Sequence, residues 1–186
     1  MRVISGSARG TKLYSLEGEN TRPTLDRVKE ALFNIIQFKL IDSDILDLFA
    51  GSGSLGIESL SRGAKHVTFC DSSREASMIV EKNLEKTRFK ESSRLYNLKF
   101  EKALDKMKLE DVKFDVVFLD PPYKTNYIKE ALELILEYKL LKEDAILILE
   151  TDEEERITKQ IENIDLDIYD VRKYGRVSLI FLKRKG

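Results

Sequence analysis

Ile45-Leu46-Asp47-Leu48-Phe49-Ala50-Gly51-Ser52-Gly53-Ser54-Leu55-Gly56 reads as a short apolar strand, a glycine loop and the first turn of a helix. The G-x-G-x-x-G spacing gives each glycine a task. The first takes a tight turn, the second lets a ligand approach bare backbone, and the third lets the helix pack close on the strand. The helix start behind the loop presents unpaired N–H groups to whatever binds there. About 20 residues after Gly51, where the next apolar run ends, Asp71 stands at the position from which a carboxylate accepts from both hydroxyls of a ribose. Nucleoside binding is the expectation, and spacing alone leaves two ligand classes open, a dinucleotide and S-adenosylmethionine. Asp47, at the strand end before the loop, suits the second, because an acid there repels a phosphate and attracts a cation.

Outward from this stretch the same alternation continues. Apolar runs at residues 45–49, 67–70, 95–100, 116–119 and 145–149 alternate with amphipathic stretches at 54–62, 74–88, 103–107 and 127–138. Near-continuous apolar strands are what a parallel sheet covered on both faces requires, so the pattern predicts an α/β fold with a doubly wound, Rossmann-like sheet. Residues 166–173 and 177–183, separated only by Tyr174-Gly175-Arg176, predict an antiparallel hairpin closing that mostly parallel sheet. Upstream, Thr24 is the expected cap of a helix that sets Leu25, Val28, Leu32 and Ile35 on one face. The glycine-punctuated residues 1–20 predict a small N-terminal β-hairpin outside the main core, with residues 21–186 as the main domain.

Composition narrows the partners. A chain of 186 residues, 42% hydrophobic and 35% charged, with 32 Lys and Arg against 33 Asp and Glu, is neither a polybasic arm nor an acidic disordered tail. Cys70 and His66 are the only residues of their types. An intrachain disulfide and a Cys/His zinc site are therefore excluded, no metal is expected, and a reducing, cytoplasmic setting is. No run approaches the ~20 apolar residues of a membrane helix, and the opening residues lack a signal peptide's apolar stretch, so no membrane partner is expected. His66 and Cys70 read as packing residues, as do Phe33, Phe38, Phe118 and Phe181, while Phe49 at the loop is also a candidate ligand contact. Charge is uneven: residues 1–39 hold seven Lys and Arg against four Asp and Glu, leaving 25 against 29 for the rest. A small basic lobe on an acidic body can face a polyanion.

Asp120-Pro121-Pro122-Tyr123 follows the fourth apolar run, at the end of a strand, where open α/β sheets place their sites. Proline fixes φ and removes donors, so Asp120 and a proline carbonyl form a rigid pair of acceptors for one planar NH₂ group, and Tyr123 offers a ring for a nucleobase. Two acceptors gripping an exocyclic amine steer its lone pair out of conjugation and toward an attacked methyl carbon. Such an edge is hidden in a helix, so the target base is unpaired or flipped.

With these residues in hand the chain resembles the RsmD-type methyltransferases. The likeness runs from Met1-Arg-Val-Ile-Ser-Gly6 and Arg9-Gly10 through Thr21-Arg22-Pro23-Thr24, Asp26-Arg27-Val28 and Glu30-Ala31-Leu32-Phe33-Asn34. It continues through the glycine loop, Ser61-Arg62-Gly63-Ala64, the Asp120 tetrapeptide and Tyr174-Gly175, nearly the whole chain. The resemblance implies methyl transfer from S-adenosylmethionine to the exocyclic N2 of a guanine in 16S ribosomal RNA, on bare RNA or an assembling small subunit, by a monomer. It implies that Asp47, Gly51 and Gly53 face the cofactor's amino acid end, that Asp71 clamps the ribose, and that Asp120, Pro121 and Tyr123 hold the amine and base. Arg22 and Thr24, with Pro122, are implied to form a lid over cofactor or substrate. The family usually has Glu where this chain has Asp71. Where it often carries a small polar or acidic residue against the adenine amine, Lys102 stands here, so a backbone contact near Ala103 is expected. The tetrapeptide is shared with enzymes acting on DNA adenine and protein glutamine. A nucleotide-binding module, an NAD-dependent dehydrogenase and a non-catalytic RNA-binding assembly factor are the readings from other classes.

Overall fold

Pro23–Ile36 forms α1 and Asp44–Asp47 forms β1. Ser54–Ser61 (α2), His66–Cys70 (β2), Arg74–Thr87 (α3), Ser93–Tyr96 (β3) and Phe100–Leu109 (α4) follow. Phe114–Leu119 (β4), Tyr127–Glu137 (α5), Leu141–Thr151 (β5), Glu154–Ile161 (α6), Leu166–Tyr174 (β6) and Val177–Arg184 (β7) complete the chain. These elements come from a computed structural model that describes residues 1–18, 23–122 and 125–186, with positions 23 and 24 described by their backbone alone.

The seven strands form one sheet in the order β3-β2-β1-β4-β5-β7-β6, parallel except for β7, which pairs antiparallel with both β5 and β6. This is the doubly wound sheet with a terminal hairpin that the apolar runs predict. The chain leaves β1 toward β2 and β3, then returns to β1's other side at β4. That reversal opens a crevice at the carboxyl ends of β1 and β4.

Alternation along each strand divides the core into two layers. Leu46, Val117, Leu119, Leu147 and Leu149 face one way, onto the buried stripes of α4, α5 and α6. Ile45, Val116, Phe118, Ile146 and Ile148 face the other, onto α1, α2 and α3.

Several expectations are corrected. The third strand ends at Tyr96 rather than residue 100, because Phe100, Ala103, Leu104 and Met107 are buried at helical spacing and belong to α4. The helix α1 begins at Pro23, one residue before its expected cap, since proline at the first helical position gives up an N–H that has no partner there. Its inward stripe is Val28, Lys29, Leu32, Phe33 and Ile36, and Ile35 turns outward. Phe38, read as core, is 89% exposed, because the chain leaves α1 through a tight turn at Gln37–Lys39 and the helical period lapses. The N-terminal pairing is reduced to a single antiparallel bridge between Arg2 and Lys12, and it does not lie outside the core. Val3 and Leu13 are buried in the layer of α1.

What holds this arm down is a buried acid. Glu58 of α2, fully inaccessible, accepts from the backbone N–H of Ile4 (2.8 Å) and Ser5 (3.0 Å), and pairs with Arg62 (2.8 Å) and Lys29 (3.3 Å). Gly6 follows at φ 85°, where an added Cβ would lie 1.7 Å from the carbonyl oxygen of Ser61. Further along, Asn83 of α3 accepts from Tyr14 N–H (2.7 Å) and donates to the carbonyls of Tyr14 and Ser52 (2.9 Å each), tying the arm to the glycine loop.

Candidate active site

A cavity of about 910 Å³ opens in the crevice between the two halves of the sheet. One half of its wall comes from the glycine loop, the end of β2 and residues 98–101. The other comes from the segment after β4, the end of β5, α1 and the β6–β7 turn.

The first half is preorganised by backbone hydrogen bonds to acids. Gly51 (φ 56°) donates its N–H to Asp71 Oδ2 at 2.9 Å, and Asp71 Oδ1 accepts from Ser73 N–H at 2.8 Å. Both oxygens keep a second lone pair for hydroxyl donors. Gly53 adopts φ 79° at the cap of α2, but it does not line the cavity; a Cβ there would press on Val80 and Phe69. Gly56 packs against the ring of Phe69, where a Cβ would meet an edge carbon at 2.2 Å. The loop thus needs its second and third glycines for packing on the sheet.

Asp47 lines the cavity, is nearly inaccessible and accepts from Gly56 N–H at 3.1 Å. Burial pushes its carboxyl up to about 7; the Gly56 bond opposes that rise and the Asp71 charge adds to it. An acid so placed gains from an incoming cation. Phe49 stacks with Tyr127 at 6.2 Å and tilts against Phe100 at 5.5 Å, giving the cavity an aromatic floor.

Beyond β3 the lining residues are Leu98, Lys99, Phe100 and Glu101. Ala103 is fully buried inside α4, its N–H donating to Lys99 O at 3.0 Å, and it does not line the cavity. Glu101 Oε2 is buried without a hydrogen-bond partner among the described residues. Sequence reasoning passed over it because the adenine contact was set at Lys102 and Ala103, one and two residues further on.

In the second half, Asp120 directly follows the end of β4 at Leu119, which pairs with Leu149 of β5, and Glu150 is the next residue of β5. Both line the cavity with Pro121 and Pro122. The Pro122 carbonyl accepts from Thr125 Oγ1 at 3.0 Å, and Arg156 of α6 donates to Thr125 O at 2.9 Å, anchoring the far side of the loop. Tyr123 and Arg22 lie outside the described residues, as does the side chain of Thr24.

Lys29 enters this wall from α1, donating to Arg2 O (2.7 Å) and Ser54 Oγ (3.1 Å). Burial lowers its pKa against the pull of Glu58. Burial raises that of Glu150. The signal for Glu150 was available: like Asp71 and Asp120 it is an acid directly after an apolar run.

Among the described residues no group of His, Cys, Asp and Glu could hold a metal, and no helix is long and apolar enough to cross a membrane. Cys70 is buried, its thiol pushed up to about 12 by burial.

Residues 1–183 match the family described as Conserved hypothetical protein 95. The chain is 40% identical over 186 residues to a putative rRNA methyltransferase, YlbH, of Bacillus subtilis, covering all of both chains. It is 43% identical over 156 residues to the ribosomal RNA small subunit methyltransferase D of Haemophilus influenzae, covering 83% of this chain and 80% of that one. Among solved structures, the putative methyltransferase yhhF of Escherichia coli aligns at a TM-score of 0.82 with 27% identity, over 100% of this chain and 98% of that one. A putative methylase of H. influenzae aligns at 0.78 with 35% identity, over 98% and 97%. The fold, the cavity at its switch point and these relatives together make the chain a member of the Conserved hypothetical protein 95 family, the RsmD family of methyltransferases.

Proposed function

We propose that the protein transfers a methyl group from S-adenosylmethionine to the exocyclic N2 of a guanine in 16S ribosomal RNA. Ribosomal RNA as the substrate class follows from the names of the relatives, and the cofactor from the same kinship. The observation that carries the reading is the arrangement of one cavity around two chemically different halves, with Asp120 at their junction.

The first half fits the cofactor. Asp47 gains from the cationic amino acid end, Asp71 keeps lone pairs for the ribose hydroxyls, and the unpartnered Oε2 of Glu101 accepts from the adenine amine. When bound, S-adenosylmethionine supplies the electrophilic methyl group. Asp120 and the Pro121 carbonyl accept from the two N–H groups of the target amine, and this grip points the nitrogen lone pair at the methyl carbon. The Asp120 charge stabilises the nitrogen as it becomes cationic, and the proton it sheds leaves through the exposed face of Asp120 to water. Tyr123 stacks on the base, and Arg22, Thr24 and Pro122 close over it.

The base must leave its helix to reach this cavity. Arg2, Arg9, Lys12 and Arg27 are exposed on the arm and α1, and they take the flanking phosphates. The active unit in this reading is a monomer, with residues 1–20 serving as an extension that supplies part of the RNA surface.

Incubation with labelled S-adenosylmethionine and either bare 16S RNA or partly assembled small subunits, followed by mass identification of the nucleoside, is the test. N2-methylguanosine is the expected product. Asp120→Ala should slow transfer about 100- to 1,000-fold while S-adenosylhomocysteine binding by calorimetry persists. Label in adenine or in protein glutamine would overturn the proposal.

A further inference from the structure

Two carboxylates, not one, stand at the mouth of the acceptor half. Leu119 pairs with Leu149 as the last step of the parallel β4–β5 ladder, and the next residue of each segment, Asp120 and Glu150, lines the same cavity. Glu150 continues along β5 the alternation of Ile148, whose side chain faces the layer of α1. Glu150 is half-buried in the cavity wall, and its backbone pairs with Leu179 of β7, one residue beyond the last pair of β5 with β4. The cofactor half, with Asp47, Asp71 and Glu101, lies across β1 and β2, so Glu150 is placed to meet the acceptor rather than the donor.

The Watson–Crick edge of guanine carries two neighbouring kinds of donor, N1–H and the N2 amine. Adenine and cytosine place an acceptor nitrogen beside their amine, which would set a lone pair against a carboxylate. An edge of adjacent donors is complementary to adjacent carboxylates, and a buried acid whose charge is disfavoured by desolvation gains most from such a donor.

Resting on the guanine reading above and deepening it, we infer that Glu150 is the specificity-determining residue of the reaction: its carboxylate accepts N1–H of the target base while Asp120 holds the N2 amine. Glu150 thereby selects guanine over bases that offer an amine beside an acceptor, and it fixes the base's rotation about Asp120.

The experiment uses an acceptor RNA in which the target guanosine is replaced by 2-aminopurine riboside. That base keeps the reactive 2-amine but presents N1 as an acceptor. Wild-type protein should methylate the guanosine RNA with a kcat/KM roughly 10- to 100-fold above the 2-aminopurine RNA, the cost of an unpaired buried acceptor. Glu150→Gln, whose amide both accepts and donates, should bring the two RNAs to within about twofold, and Glu150→Ala should narrow the gap by lowering the guanosine rate. The oxygen at C6 that 2-aminopurine lacks is missing equally for every variant, so only the variant-dependent change in the ratio reports on Glu150. S-adenosylhomocysteine binding by both variants, equal to wild type, shows that the fold and the cofactor half are intact. A ratio left unchanged by both substitutions, or a wild-type protein indifferent to the two RNAs, overturns the inference. If wild type produces a nucleoside other than N2-methylguanosine from the guanosine RNA, the underlying reading falls first and takes this one with it.

Discussion

At Asp47 the unliganded protein holds a carboxyl pushed up to about 7 by burial, far from the usual carboxylate range. A folded-state value above the unfolded one means that the empty protein loses stability as pH rises from about 4 to about 7, the reverse of an ion-paired acid. A cationic ligand favours the ionised form, so affinity for S-adenosylmethionine should fall about tenfold per pH unit below 7 and level off above it. Asp47→Asn keeps an acceptor for Gly56 N–H yet carries no charge. Its melting temperature at pH 8 should exceed that of wild type, while calorimetry shows weaker cofactor binding with no slope between pH 6 and 8. Gly56 is the second residue whose role is set by its surroundings. With the ring of Phe69 2.2 Å from an added Cβ, Gly56→Ala should cost about 1–3 kcal/mol in urea unfolding, because that ring is fully buried and has nowhere to move.

Among the elements, the N-terminal arm depends on one side chain more than on its own pairing. Removing the Glu58 carboxylate would leave Lys29 and two backbone N–H groups without their buried partner. Glu58→Ala should therefore cost about 3–5 kcal/mol in equilibrium unfolding, and the amides of Ile4 and Ser5 should lose hydrogen-exchange protection before the sheet does. This dependence was not legible in the sequence. The glycines at 6, 10 and 18 announced turns, but a fully buried acid on α2 follows no hydrophobic period. Strands β1, β2, β4 and the inner part of β5 were legible, because burial on both faces forces continuous apolar runs. The boundary at Tyr96 was not, since Leu95, Leu98 and Phe100 form an apolar run across a turn and into α4. The expected backbone contact near Ala103 came from Lys102 standing at the family's adenine position, whereas the wall is built by residues 98–101. That Asp47, Gly51, Asp71 and Asp120 line one cavity was legible because a glycine loop and strand ends mark their positions, whereas Lys29 sits in mid-helix, where a lysine normally signals solvent.

For the molecule as a whole, charge is divided between rim and interior. Exposed Arg2, Arg9, Lys12 and Arg27 make the arm and α1 the part of the chain with a positive balance, and on the proposed function RNA approaches that lobe. The paired substitution Arg9→Ala with Lys12→Ala should weaken RNA binding uniformly across sequences and flatten the plot of log affinity against log salt by roughly 0.7 for each phosphate no longer neutralised. Cofactor binding should not change. Among the described residues the cavity carries Asp47, Asp71, Glu101, Asp120 and Glu150 against Lys29, Lys99 and Arg176. On the proposed function, these carboxylates would act as a sieve on a polyanion: sugar-phosphate chain is repelled at the threshold, while an uncharged ring rich in N–H groups gains by going further in.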